Sequence, residues 1–248
     1  TNKTGFTLGT QFEYYDDFYF GAGINSYYES IETDSTASAQ QKKLKGNYFD
    51  NFINLNFDYD KRNQKFQTSQ GFRNYFSTDL PIVSETNTLA NTFITTTYFE
   101  YSDSNILKSS FYFRNSNSIT GDNIKLSERL YLPSNRLRGF ESGKVGPKDG
   151  NDFIGGNYIA SLNFSSNVPK ILENSQTTDI IIFFDVANVW GVDYDSALDT
   201  SDDIKSAIGL GLDWFSPIGP MNFTLSQHLM KGSNDVTESF RFNLGTTF

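Results

Sequence analysis

Apolar and polar residues alternate along most of the chain, most clearly near its C-terminus. From 203 to 216 one face carries Ile204, Ser206, Ile208, Leu210, Leu212 and Trp214, and the other carries Lys205, Ala207, Gly209, Gly211 and Asp213. A two-residue period with one apolar face is that of a β-strand. The pattern predicts an all-β chain with eleven strands, at about 3–15, 17–30, 46–59, 66–79, 88–102, 106–119, 154–167, 178–190, 203–216, 220–231 and 236–248.

The predicted strands are long enough to cross a lipid bilayer. At about 3.3 Å per residue, about ten residues tilted near 45° span its hydrocarbon core. The predicted connections also alternate in length: 15–17, 61–63, 103–105 and 216–219 are tight, the one after Pro169 is intermediate, and 31–45, 120–153 and 191–202 are long. This alternation is typical of outer-membrane barrels with short periplasmic turns, and it favours a transmembrane antiparallel β-barrel over the alternative, a soluble sandwich.

Composition agrees with a barrel and excludes several other classes of protein. The chain has 16% aromatic residues, yet its mean hydropathy is −0.46 and no stretch approaches the length of apolar sequence that a membrane helix needs. A net charge of −9 argues against nucleic acid as a partner, and the absence of cysteine excludes disulfides and thiolate metal sites. Thr1 lies next to a predicted strand and eleven is an odd number for a bacterial barrel, so we expect missing N-terminal strands.

No catalytic or metal site is predicted from the sequence. His228 is the single histidine, and no catalytic triad, carboxylate pair or metal-ligand spacing can be assembled around it. The acidic segment containing Asp193, Asp195, Asp199, Asp202 and Asp203 lacks the spacing of a calcium-binding loop, and we interpret it as a solvated loop. We therefore expect neither an enzyme nor a cofactor.

A set of motifs in the C-terminal half resembles the BamA-type family of outer-membrane barrel-assembly proteins. The motifs are Leu137-Arg138-Gly139-Phe140, Gly146-Pro147, Gly155-Gly156-Asn157, Phe183-Phe184-Asp185 with Val189-Trp190, Gly209 to Trp214, Ser216-Pro217-Ile218-Gly219-Pro220, Phe240 to Gly245 and terminal Phe248. Upstream of about position 125 the likeness is looser. The resemblance implies a sixteen-stranded barrel preceded by soluble POTRA domains, of which residues 1–248 would be the C-terminal barrel part, with about the last eleven strands.

The resemblance also implies roles for individual residues. The family's Arg-Gly-Phe loop folds into the barrel lumen, where its arginine contacts inward acidic residues; the matching residues here are Arg138, Gly139 and Phe140. Alternation places Ile180, Ile182, Phe184 and Val186 on the lipid face and Asp185 inward, so Asp185 is the expected partner of Arg138. Members often have glutamate where this chain has Asn163, which we expect to accept a hydrogen bond from Arg138. Asp213 is another inward acid within the same expectation.

The function implied by the resemblance is the insertion of other barrels into the outer membrane. Its first and last strands would meet at a weakly paired seam, and an unpaired edge can template an incoming strand. Here the seam strand would comprise Phe240, Phe242, Leu244, Gly245 and Phe248. Implied partners are the outer-membrane bilayer, nascent outer-membrane barrels and, through POTRA domains, accessory lipoproteins. Alternatives are a related translocator, of the TamA or two-partner secretion type, a porin-like transporter, and a structural barrel or adhesin.

Overall fold

A computed structural model of the chain describes residues 1–65, 68–102, 105–168, 178–194, 198, 202–216 and 219–245. These residues form one large antiparallel sheet of eleven strands, and the all-β prediction is confirmed. The helical elements are α1 (Ala39–Lys43) and a 3-10 turn (Leu126–Glu128). Within the described ranges, no helix is both long and apolar enough to span a membrane.

Each strand of the sheet pairs with its neighbour in the chain, except where the long loop intervenes. The strands are β1 (Asn2–Tyr15), β2 (Phe18–Ile31), β3 (Gly46–Asp60), β4 (Gly71–Ser84), β5 (Thr88–Ser102), β6 (Asn105–Ser118), β9 (Tyr158–Asn167), β10 (Thr178–Trp190), β11 (Lys205–Ser216), β12 (Gly219–Met230) and β13 (Phe240–Leu244). Strand β6 pairs with β9 across residues 119–157, which we call the long loop. That loop contains a short ribbon, β7 (Lys148–Asp149) with β8 (Asp152–Phe153).

The two faces of the sheet differ as the alternation predicted. On β10, Ile182 and Phe184 are exposed on the outer face, while Phe183 and Asp185 are buried on the inner face, the one that the long loop covers. Exposed apolar residues also follow alternate positions of the other strands, such as Phe240, Phe242 and Leu244. An apolar outer face on strands of this length is the surface that a bilayer requires.

Two predictions about β4 and its connections are wrong. The strand is Gly71–Ser84, not 66–79, and the tight turn predicted at 61–63 is a longer connection closed by a 2.8 Å hydrogen bond from the Lys61 amide to the Phe72 carbonyl. Phe66 lies outside the described residues. The strand continues through Pro81 because the β4–β5 ladder ends at Asp79 and Ala90, so the missing proline N–H removes no bond on that side. The connection from β4 to β5 is consequently short, which breaks the predicted alternation of loop lengths.

Two later strands, β9 and β13, were also predicted to begin too early in the chain. Residues 154–157 lie in the long loop, where Leu130 and Gly156 form an isolated bridge, and β9 begins at Tyr158. Residues 236–238 bond to the long loop instead of extending β13. Several residues named from the sequence lie outside the described part: Phe248, Pro169, Pro217, Ile218, Asp195 and Asp199.

Candidate functional site

The long loop is fixed to the inner face of the sheet by an apolar cluster. Phe140 and Leu137 at its tip are fully buried, with Val145 behind them. They pack with inward residues of the strands and with other loop residues: Tyr112, Leu130, Leu132, Ile159, Ala187, Val189 and Ala207. Because burial of one such side chain contributes about 1.5–3 kcal/mol, this cluster alone can hold the loop against the sheet.

In the structure, the guanidinium of Arg138 pairs with the carboxylate of Asp185. The Arg138 guanidinium donates from Nε to Asp185 Oδ2 and from Nη2 to Oδ1, both at 2.8 Å, and the Arg138 amide donates to Oδ2 at 3.0 Å. The guanidinium also lies over the Phe183 ring, 3.6 Å from its centroid. Asp185 is completely buried, whereas the Arg138 side chain is 18% exposed. A bidentate pair of this kind sets both the position and the orientation of the loop tip.

Asn163 contacts the loop through Arg136 and not through Arg138. Asn163 is the cross-strand neighbour of Asp185, and its Nδ2 donates to Asp185 Oδ1 and to the Arg136 carbonyl, both at 2.8 Å. An amide carries donors that the glutamate of the family does not, so beside a carboxylate it acts as a donor. Within the described ranges, Asp213 receives its hydrogen bond from Asn222 and not from Arg138.

Gly139 occupies a position that a side chain would disturb. Its φ is +88°, a region that residues with a Cβ rarely adopt, and an added Cβ would lie 3.2 Å from Ala207 Cβ and 3.2 Å from Ser226 Cβ. The loop tip therefore approaches β11 and β12 closely because this residue has no side chain.

We expect Gly139→Ala to loosen the loop tip without unfolding the sheet. Backbone strain in this region costs about 1–2 kcal/mol, and the close approach adds to it. The expected result is faster protease cleavage within residues 134–144. Gly143→Ala is the matched control, because Gly143 also has a positive φ, of +71°, but an added Cβ there meets nothing within 4 Å. Equal cleavage of the two variants would show that the close approach does not hold the tip.

A second, charged anchor holds the start of the long loop, and the sequence did not reveal it. Lys125 is completely buried, and its Nζ bonds to Asp50 and lies 3.4 Å from Glu29 and 3.3 Å from Glu128. Glu128 accepts a 2.7 Å hydrogen bond from Thr88. Burial alone would lower the pKa of Lys125, but the neighbouring carboxylates outweigh it, and the pKa is raised. Burial raises the pKa of Glu128.

Further basic residues tie the loop to the sheet. Arg129 pairs with Asp193 and lies over the Tyr194 ring, while Arg136 donates to Ser110 Oγ at 2.9 Å. Burial lowers the pKa of Arg136. Four basic residues of one loop, counting Lys125 and Arg138, thus reach acceptors on the sheet or its connections. Their clustering between positions 125 and 138 was the available sequence signal.

The structure describes the predicted seam strand as far as Gly245. Phe240, Phe242 and Leu244 are exposed on the outer face of β13, and Gly245, with φ +106°, donates to the Pro220 carbonyl at 2.8 Å. Phe248 lies outside the described residues. Arg241, which alternates with the phenylalanines along β13, bonds to the long loop. Within the described ranges, no three His, Cys, Asp or Glu side chains form a group that could hold a metal ion.

Comparisons with known proteins agree on one family. The sequence model described as the Omp85 superfamily domain matches residues 1–248. Curated relatives include proteins named outer membrane protein assembly factor BamA from Neorickettsia risticii, 27% identical over 132 residues, and from Neisseria meningitidis serogroup B, 30% identical over 139 residues. These alignments cover 52% and 45% of this chain but only 18% and 17% of the relatives.

The fold matches a solved structure over almost the whole chain. The crystal structure of BamA from Haemophilus ducreyi lacking POTRA domains 1–3 superposes with a TM-score of 0.82 and 19% sequence identity. The match covers 97% of this chain and 53% of that one. The chain therefore spans about half the length of the solved relative and less than a fifth of the curated ones.

Proposed function

Because this chain belongs to the Omp85 superfamily, we propose that it acts in the assembly of outer-membrane β-barrel proteins. It is an outer-membrane β-barrel protein of a Gram-negative bacterium. Residues 1–248 would form the C-terminal part of a sixteen-stranded barrel domain. Its clients are nascent outer-membrane barrels, and accessory lipoproteins would bind through POTRA domains.

The observation that carries this proposal is the docked long loop. Its tip, with Arg138, Gly139 and Phe140, occupies the inner face through the Asp185 ion pair and the apolar cluster. A porin-like transporter needs an open polar passage along that face. An inner face that is covered by the loop is instead expected for a protein that acts at the edge of its sheet or at its surface. In such a protein the loop would stabilise the barrel wall.

In the proposed mechanism, an incoming client strand pairs at the seam formed by the last strand, β13. Residues of β13, namely Phe240, Phe242 and Leu244, present apolar side chains to the bilayer, and Gly245 follows them. A weakly paired strand at a barrel seam can separate and leave an edge on which an incoming strand forms hydrogen bonds. Phe248 would complete this seam strand. The Arg-Gly-Phe tip would hold the adjoining wall in one geometry while the seam opens.

Depletion of the full-length protein from its own cell tests the proposed function. We expect folded outer-membrane barrels, scored by their heat-modifiable migration in gels, to fall several-fold while unfolded precursors accumulate in the periplasm. A plasmid copy of the wild-type protein should restore them. Loss of solute uptake with normal barrel levels would indicate a porin instead. Loss of one secreted passenger alone would indicate a translocator.

A further inference from the structure

The segment that follows β12 turns onto the long loop before it enters β13. Phe140 and Thr237 form an isolated antiparallel bridge. The backbone hydrogen bonds around it run from Glu141 N to Val236 O at 2.9 Å, from Val236 N to Lys144 O at 3.0 Å and from Glu238 N to Gly139 O at 3.1 Å. The loop tip thus serves as a short strand partner for residues 236–238.

A buried carboxylate fixes the start of the same segment. Asp235 is 6% exposed, and its Oδ1 accepts from the Gly146 amide of the long loop at 3.0 Å, while its Oδ2 accepts from the Gly232 amide at 2.7 Å. Backbone N–H groups that bond a carboxylate are strong, directional contacts. Residues 235–238 are therefore bonded to the long loop at both ends of the segment, while Lys205 of β11 also lies 3.9 Å from Asp235.

Arg241 extends this connection into β13 itself. Its Nη1 donates to the Ser134 carbonyl at 2.8 Å and its Nη2 to the Phe140 carbonyl at 2.5 Å. The two carbonyls lie on either side of the Arg138 position, so one guanidinium spans the tip of the loop. The Arg241 side chain is only 14% exposed. A planar guanidinium carries its donors on separate nitrogens, so it can hold two carbonyls that lie apart.

Up to Gly245, where the described residues end, the pairing of β13 with the sheet is short by comparison. β13 pairs with Met221–Leu225 of β12, whereas β12 pairs with β11 along its whole length. Just before β13, the Ser226 amide of β12 donates to the Ser239 carbonyl at 2.9 Å. The last strand is thus held by the long loop on its inner side as well as by the neighbouring strand.

We infer that Arg241 is a positioning residue that couples the last strand to the Arg-Gly-Phe tip. Release of the loop tip loosens β13, and release of β13 loosens the loop tip, because the two share the hydrogen bonds of Arg241 and of residues 235–238. Such coupling is reciprocal by thermodynamic necessity. The inference rests on the proposed function only in taking β13 as the seam strand.

Amide hydrogen exchange of the full-length protein in lipid nanodiscs tests the coupling in both directions. Arg241→Gln should raise exchange of the loop peptide 134–144 about tenfold, the change expected for loss of a charge-assisted hydrogen bond. Arg138→Ala, which removes contacts with Asp185 and Phe183 of β10 and none with β13, should raise exchange of peptide 236–244 by a similar factor. Peptides of β9 and β10 report whether the sheet itself stays folded.

Arg73→Gln is the matched control, because Arg73 also makes a bidentate pair, with Asp58, but makes no hydrogen bond to the loop. It should leave both peptides unchanged. The inference is overturned if Arg241→Gln changes exchange in 236–244 but not in 134–144, or if Arg138→Ala leaves 236–244 unchanged. Client folding measured in the same variants is a separate readout. Normal client folding in variants that have lost the coupling would count against the proposed function and leave the coupling itself standing.

Discussion

Lys125→Met is expected to destabilise the protein by about 3–5 kcal/mol, the cost of breaking a buried ion pair by removing one partner. Lys125 is completely buried and is the cation among Asp50, Glu29 and Glu128, of which the first two are also buried. Without the ammonium, these carboxylates face one another, and the charge that bonds directly to them is gone; Lys3 is the other cation that acts on all three. Urea unfolding of the full-length protein in detergent micelles would measure the loss.

Urea unfolding should be measured near neutral pH, and the direction of the Lys125 pKa shift gives the reason. The pKa of Lys125 is raised in the folded protein above its ordinary value of 10.5, so its stabilising effect is complete below that value and is lost as the pH rises through the folded pKa. Near neutral pH the full difference between wild type and Lys125→Met should therefore appear. The difference should shrink on acidification, because Glu128, whose pKa burial already raises, becomes protonated.

Two variants separate charge burial from the mere loss of a long side chain. Lys61→Met removes a lysine from an exposed pair with Asp17, whose side chains are 39% and 49% exposed, and should cost about 0–1 kcal/mol. Asp50→Asn added to Lys125→Met should restore part of the stability, since it removes one uncompensated charge. If Lys125→Met costs no more than Lys61→Met, the buried cluster is not an anchor of the loop.

Residue alternation was sufficient to predict most of the strands of the sheet. It also predicted the inward direction of Asp185, one of the two residues of the Arg138–Asp185 ion pair. It identified the strands, the lipid-facing positions of β10 and the inward direction of Asp185, because a half-buried strand exposes its period directly in the sequence. The failures at β4 and β13 come from backbone partners: Pro81 is tolerated where the β4–β5 ladder has ended, and residues 236–238 bond to a loop. Neither circumstance has a local pattern.

The contacts of the long loop could not be predicted from periodicity, since a loop has none. Arg138 was found through a family motif, whereas Lys125 has no such motif. Two of its partners, Glu29 and Asp50, lie far away in the chain, on β2 and β3. Asn163 shows a further limit. Its position was right, but an amide can either donate or accept, and only the neighbouring Asp185 carboxylate decides which.

Arg138→Ala is expected to reduce folded client barrels in the outer membrane more than Asp185→Asn does. Removal of Arg138 leaves a completely buried carboxylate with one amide donor, Asn163, from the side chains around it. Asp185→Asn instead leaves an arginine that is 18% exposed and stacked on Phe183, so water and the ring compensate part of its charge. Cells that carry each variant as the sole copy would be compared for the amount of folded client barrels, scored by heat-modifiable migration in gels.

The double variant Arg138→Ala with Asp185→Asn distinguishes two roles for the loop tip. If Arg138 acts by holding the loop, removing the buried carboxylate as well should restore part of the client level lost in Arg138→Ala, since the uncompensated charge is gone. Should Arg138 instead contact clients directly, the double variant would be as defective as Arg138→Ala. Arg138→Lys keeps the charge but cannot form the two parallel bonds to Asp185, so it should be intermediate. Wild-type client levels in Arg138→Ala, with normal amounts of the variant in the membrane, would exclude both roles.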